Sequence, residues 1–254
     1  MSKLSKKYLD QKNLEKILNK KFNQGLQLHQ TGHFSKARLI YQEILNLQPL
    51  NPDALHLMGL SDYFLQNYES ALKLISDAIN INPHVADFYS NRGLVFHANK
   101  DHENALKDYE RSIAIRPNFA QAYANKGLVL LEQKKIEAAI SNFEIAILFL
   151  PEYAQAYYNL GNANMALKEY EKALENYNQA LSFNPNNVDA RFNKGQSLFE
   201  QGKFEDALHD FDFCNTPFSR AQALICLNAL DRIDEIYKRI EERSDLDDRN
   251  ISIA

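Results

Sequence analysis

The chain has 254 residues, a formal net charge of −4 and 45% hydrophobic residues. That balance gives no general attraction to nucleic acid, and the longest apolar run, Ile145 to Leu150, is too short to cross a bilayer, so neither is an expected partner. Two cysteines, Cys214 and Cys226, make no disulfide framework, and the N-terminus lacks the apolar core of a secretory leader, which points to a reducing, cytoplasmic setting.

Residues 1–17 place Leu9, Leu14 and Ile17, with Leu18 next, on one helical face and predict an N-terminal capping helix. Residues 1–21 carry seven lysines against Asp10 and Glu15, a solvated basic face. From residue 18 a fixed pitch takes over. Gly25, Gly59, Gly93, Gly127, Gly161 and Gly195 follow one another at 34-residue steps, as do Pro49, Pro83, Pro117, Pro151 and Pro185. Such a period predicts stacked repeats, each burying its apolar face on its neighbours. The units are 18–51, 52–85, 86–119, 120–153, 154–187 and 188–219. Residues 220–254 read as a degenerate seventh helix pair, over 220–230 and 233–243, followed by a polar tail. The apolar ending Ile251 to Ala254 after a charged stretch is the expected mark of a longer protein cut there.

The regular unit 120–153 shows what each repeat folds into. Tyr123, Gly127 and Leu130 share one helical face. Lys134 and Lys135 interrupt the pattern at a turn, and Ile136, Ala139, Ile140, Phe143, Ala146 and Ile147 make a second stripe that Pro151 ends. Two antiparallel helices per unit follow. A glycine inside a helix costs about 1 kcal/mol against alanine. Its recurrence in six units implies a close approach of the paired helices at Gly127 and Ala139 and their equivalents.

The pattern Tyr123, Gly127, Ala139, Phe143, Ala146 and Pro151, repeated as Tyr157, Gly161, Ala173, Tyr177, Ala180 and Pro185, resembles the tetratricopeptide repeat family. The resemblance covers about four-fifths of the chain. It implies an all-α, right-handed superhelical solenoid of six repeats with terminal capping helices, and an interaction scaffold rather than an enzyme.

In the first helix of each unit, the second, sixth, ninth and thirteenth positions lie about 160° from the core positions. By the resemblance, they line a concave groove. The sixth position reads Asn23, Leu57, Asn91, Asn125, Asn159 and Asn193. Asparagine is unfavourable within a helix by roughly 0.7 kcal/mol, and its amide offers the donors and acceptor of a peptide group. The row is therefore expected to face outward and hold the backbone of an extended peptide, resembling the asparagine ladder in the repeat arms of O-linked N-acetylglucosamine transferases. Leu94, Leu128 and Asn162 at the ninth position, with Tyr158 and Phe192 at the fifth, are expected to shape side-chain pockets. Asp53, Asp87, Glu132, Asp189 and Glu200 add acidic accents. The cationic cluster with which chaperone-binding members hold a carboxylate is missing: the corresponding second and fifth positions hold Asn19, Phe22, Asp53, His56, Asp87, Ser90, Gln121 and Ala124.

Of the seven histidines, His29 and His33 are four apart but His33 lies at the inter-helix turn, His56 and His97 lie on the groove face of neighbouring units, and all read as scattered surface residues; there is no phosphate-binding glycine loop or nucleophile elbow. No cofactor, metal or catalytic residue is expected. The expected function is binding of a protein or extended peptide along the groove. The alternative is the N-terminal recognition arm of a larger glycosyltransferase or oxygenase.

Overall fold

The computed structural model describes residues 3–241. The described residues are helical throughout, with thirteen helices and a further helical segment over 233–241. The pitch read from the glycines is the pitch of the helix starts. First helices begin at Pro52 (α3, Pro52–Phe64), Ala86 (α5, Ala86–Ala98), Ala120 (α7, Ala120–Glu132), Ala154 (α9, Ala154–Ala166) and Val188 (α11, Val188–Glu200). Second helices begin at Phe34 (α2, Phe34–Leu47), Tyr68 (α4, Tyr68–Ile81), His102 (α6, His102–Ile115), Ile136 (α8, Ile136–Phe149), Tyr170 (α10, Tyr170–Phe183) and Phe204 (α12, Phe204–Cys214).

Each pair folds back through three residues whose middle member lies in the left-handed region. Gly32 and Gly202 hold that place at φ 74° and 73°, and Gln66, Lys100, Lys134 and Lys168 hold it at 60–63°. The next repeat begins after a four-residue link containing the periodic proline, which cannot continue the preceding helix.

The ends depart from the expected boundaries. The capping helix and the first repeat helix are one helix, α1 (Lys3–Gln30), because nothing near residue 17 breaks helical geometry. The last first-type helix, α13 (Pro217–Ala229), begins at Pro217 rather than at 220. Asn215 turns left-handed at φ 48° and closes α12 early. Thr216 and Ser219 then form a capping box around Pro217, fixing the new start. The apolar ending Ile251 to Ala254 lies outside the described residues.

The chain divides into two compact units, residues 1–129 and 130–254, with the boundary inside α7. In the first, Tyr41, Ile75 and Tyr109 are fully buried between paired helices; in the second, Tyr177 and Phe211 are. These side chains explain the glycines. A Cβ on Gly25, Gly93 or Gly161 would stand 2.5–2.8 Å from a ring carbon of Tyr41, Tyr109 or Tyr177, below any normal contact. A Cβ on Gly59 would meet Ile75 at 2.8 Å, and one on Gly195 would meet Phe211 at 2.9 Å.

Candidate peptide-binding face

In the first unit, α1, α3, α5 and α7 carry Asn23, Leu57, Asn91 and Asn125 in register. Asn23 is exposed, while Leu57, Asn91, Leu94, Asn125 and Leu128 are half-buried. Asn91 is not free. Its side-chain nitrogen lies 2.8 Å from Nε2 of His56, one repeat earlier. His56 is buried beside the Phe88 ring, and that burial lowers its pKa to about 4, outweighing the raising effect of Asp87. The acidic accent of Asp87 is itself spent on an ion pair with Arg116.

In the second unit, the Asn193 side-chain nitrogen donates to Oδ1 of Asn162 at 2.9 Å and to the Tyr158 hydroxyl at 3.3 Å. The Tyr177 hydroxyl donates to the same Asn162 oxygen at 2.8 Å. Asn162, which replaces the leucine found at this position in the first four repeats, thus gathers two donors from neighbouring helices. Its polarity answers the buried tyrosine hydroxyl.

An outward row is corrected at Asn159. It is only 5% exposed, and its Oδ1 accepts from Nε2 of Gln155 one turn earlier, at 3.1 Å. Phe192, expected as a pocket wall, is half-buried between the rings of Phe211 and Phe218, at 5.4 and 5.3 Å.

Buried charge escaped the reading of the sequence. Asp62, 1% exposed, accepts from Nε of Arg38 and Oγ of Ser70, each at 2.6 Å. Asp108 takes both prongs of Arg92 at 2.7 and 2.8 Å, and Asp210 pairs with Lys194 at 3.0 Å. The one signal was Asp62 itself, standing at a core position that holds Leu28, Phe96, Leu130 and Leu198 in other repeats.

His29 is wedged edge-on against the stacked rings of Phe34 and Phe64, and burial lowers its pKa. The His97 ring meets that of His102 edge-on, with centroids 5.7 Å apart. Cys214 and Cys226 are buried free thiols, and burial raises both, Cys226 to about 11, which keeps them protonated and unreactive. Among the described residues no helix is long and apolar enough to cross a membrane.

Family comparisons agree with this geometry. A model described as TPR repeat matches residues 127–168 and 161–202. Two described as tetratricopeptide repeat match 86–119 and 108–141. Residues 86–202 carry tetratricopeptide repeats. No curated protein sequence matches the chain. Among solved structures, the fold is similar to that in the anaphase-promoting-complex hetero-tetramer Cut9–Hcn1, at TM-score 0.75 and 17% identity over 85% of this chain and 46% of that one. It is similar to PilF of Pseudomonas aeruginosa, at TM-score 0.67 and 22% identity over 74% and 87%. It is also similar to YrrB, described as a TPR protein with an unusual peptide-binding site, at TM-score 0.51 and 22% identity over 67% and 88%. At these identities the likeness is one of tetratricopeptide fold. Tetratricopeptide proteins generally mediate protein–protein interaction.

Proposed function

We propose that this chain is a non-enzymatic interaction scaffold that binds an extended peptide on the exposed side of its first helices. A cytoplasmic setting is part of the proposal, supported by two buried, unpaired cysteines. The observation that carries the reading is the state of the asparagine amides. Each has two N–H donors and one carbonyl acceptor. Asn91 spends one donor on His56 and keeps a donor and its acceptor. Asn193 spends its donors on Asn162 and Tyr158 and keeps its acceptor. Both are half-buried, so the remaining groups are held in fixed orientation, which lowers the entropic cost of gripping a peptide backbone. Asn125 and Leu94 flank Asn91 in the first unit; Tyr158 and Asn162 flank Asn193 in the second. Asn159 holds position rather than contacting the ligand. The arrangement is similar in principle to the asparagine ladder of the O-linked N-acetylglucosamine transferases.

The test is selection of a peptide from a random display library, followed by calorimetric titration. Asn91→Ala and Asn193→Ala should each weaken it by about 0.5–1.5 kcal/mol, with helicity unchanged. A peptide bound equally well by wild type and the double variant, both folded, would refute this use of the asparagines.

A further inference from the structure

A second cleft lies in the second unit, away from the asparagines. Its floor is Ile140 of α8, Leu160 of α9 and Leu167 of the following turn. Its rim is Glu137 and Glu144 of α8, with Glu169 and Glu175 at and within α10. Lys172, also on the rim, pairs with Glu169 at 2.9 Å. Glu137, Glu144 and Glu175 have no ion-pair partner among the described residues. At the base is Asn164, only 4% exposed, whose side-chain amide has no hydrogen-bond partner among the described residues. The Asn164 amide opens onto the cleft and offers its donors and acceptor to a group that enters.

The chain itself shows what fits. Three repeats earlier, the residue in the register of Asn164 is Asp62, that of Ile140 is Arg38 and that of Lys172 is Ser70. There the Arg38 guanidinium reaches in from the second helix and donates to Asp62 at 2.6 Å, with Ser70 completing the acid's shell. Between the later pair of repeats the arginine is replaced by Ile140, and no side chain takes its place at the Asn164 amide among the described residues. The rim changes in step. Glu137, Glu144, Glu169 and Glu175 stand where the earlier repeat has Ser35, Gln42, Asn67 and Lys73. The pair of repeats that supplies its own arginine has no acidic rim, and the pair that lacks one has four glutamates.

We propose that the α8–α10 cleft binds an arginine side chain of a partner polypeptide. The aliphatic stem lies on Ile140, Leu160 and Leu167. The guanidinium donates to Oδ1 of Asn164 and to the unpaired rim carboxylates, whose geometry a planar five-donor fork matches better than a point-charge ammonium.

The test uses the full chain, isotope-labelled, and three hexapeptides that differ at one central residue: arginine, lysine or citrulline. Backbone amide signals are followed by NMR. The arginine peptide should give saturable shifts confined to residues 136–176, the lysine peptide should bind several-fold more weakly, and the citrulline peptide should not bind. Glu137→Gln with Glu144→Gln, both at exposed positions, should weaken the arginine peptide at least about tenfold. Ile140→Arg supplies the missing side chain from within; it should raise the melting temperature and abolish binding. The glutamine variant keeps the proposal testable should Ile140→Arg fold poorly. No shifts, equal binding of arginine and lysine peptides, binding of citrulline, or full affinity in either folded variant would overturn the proposal.

Discussion

The amide of Asn91 donates to Nε2 of His56 across 2.8 Å and so joins the first helices of two successive repeats. An amide nitrogen only donates, so Nε2 must be the bare nitrogen and the proton sits on Nδ1. Protonation of His56 would turn an acceptor into a second donor facing the Asn91 amide and bury a charge. The same contact that orients a candidate ligand-binding side chain therefore makes the fold sensitive to acid.

The folded pKa of His56, about 4, lies below its ordinary value of 6.5. The stabilisation is present above about pH 6.5 and lost as pH falls towards 4. The loss should amount to about 3 kcal/mol by pH 4. Urea unfolding of wild type and His56→Leu at pH 7.5 and pH 4.5 checks this: the wild type should lose more stability on acidification than the variant.

Gly161→Ala places a Cβ 2.5 Å from the ring of the fully buried Tyr177. Overpacking should cost about 1–3 kcal/mol, exceeding the roughly 1 kcal/mol gained in helix propensity. Thermal unfolding of the single variant and of Gly161→Ala with Tyr177→Leu measures it, the second change recovering part of the loss.

Lys168 holds a left-handed backbone at φ 60° where Gly32 and Gly202 hold it in other repeats. Only glycine takes that conformation without steric cost. Lys168→Gly should stabilise by about 0.5–1 kcal/mol, read as an upward shift in melting temperature. Gly202→Ala should shift it down.

Arg92→Met strips both hydrogen bonds from Asp108, which is 6% exposed. An uncompensated buried carboxylate should cost about 3 kcal/mol. Adding Asp108→Leu should recover most of that, a coupling that a double-mutant cycle in urea would expose.

The helical repeat was legible from the chain alone, because its causes are local or strictly periodic. Proline stops a helix wherever it falls, and a glycine recurring every 34 residues marks a contact that recurs with it. The helix starts obey that pitch from Phe34 to Phe204. At the ends the period lapses, and local chemistry took over: an unbroken α1, and a capping box at Thr216 that moved α13. The asparagine register was also legible, but not what the amides do. Helical geometry puts Asn91, Asn159 and Asn193 on one face. Whether each is open, covered or bonded depends on the neighbouring helix, so Asn159 is buried while Asn193 reaches Asn162. Pairs such as Arg38 with Asp62 join residues 24 apart, at a spacing no helical period links. Only the packing of one repeat on the next brought them together and left Asn164, in the same register, without a hydrogen bond to a described residue.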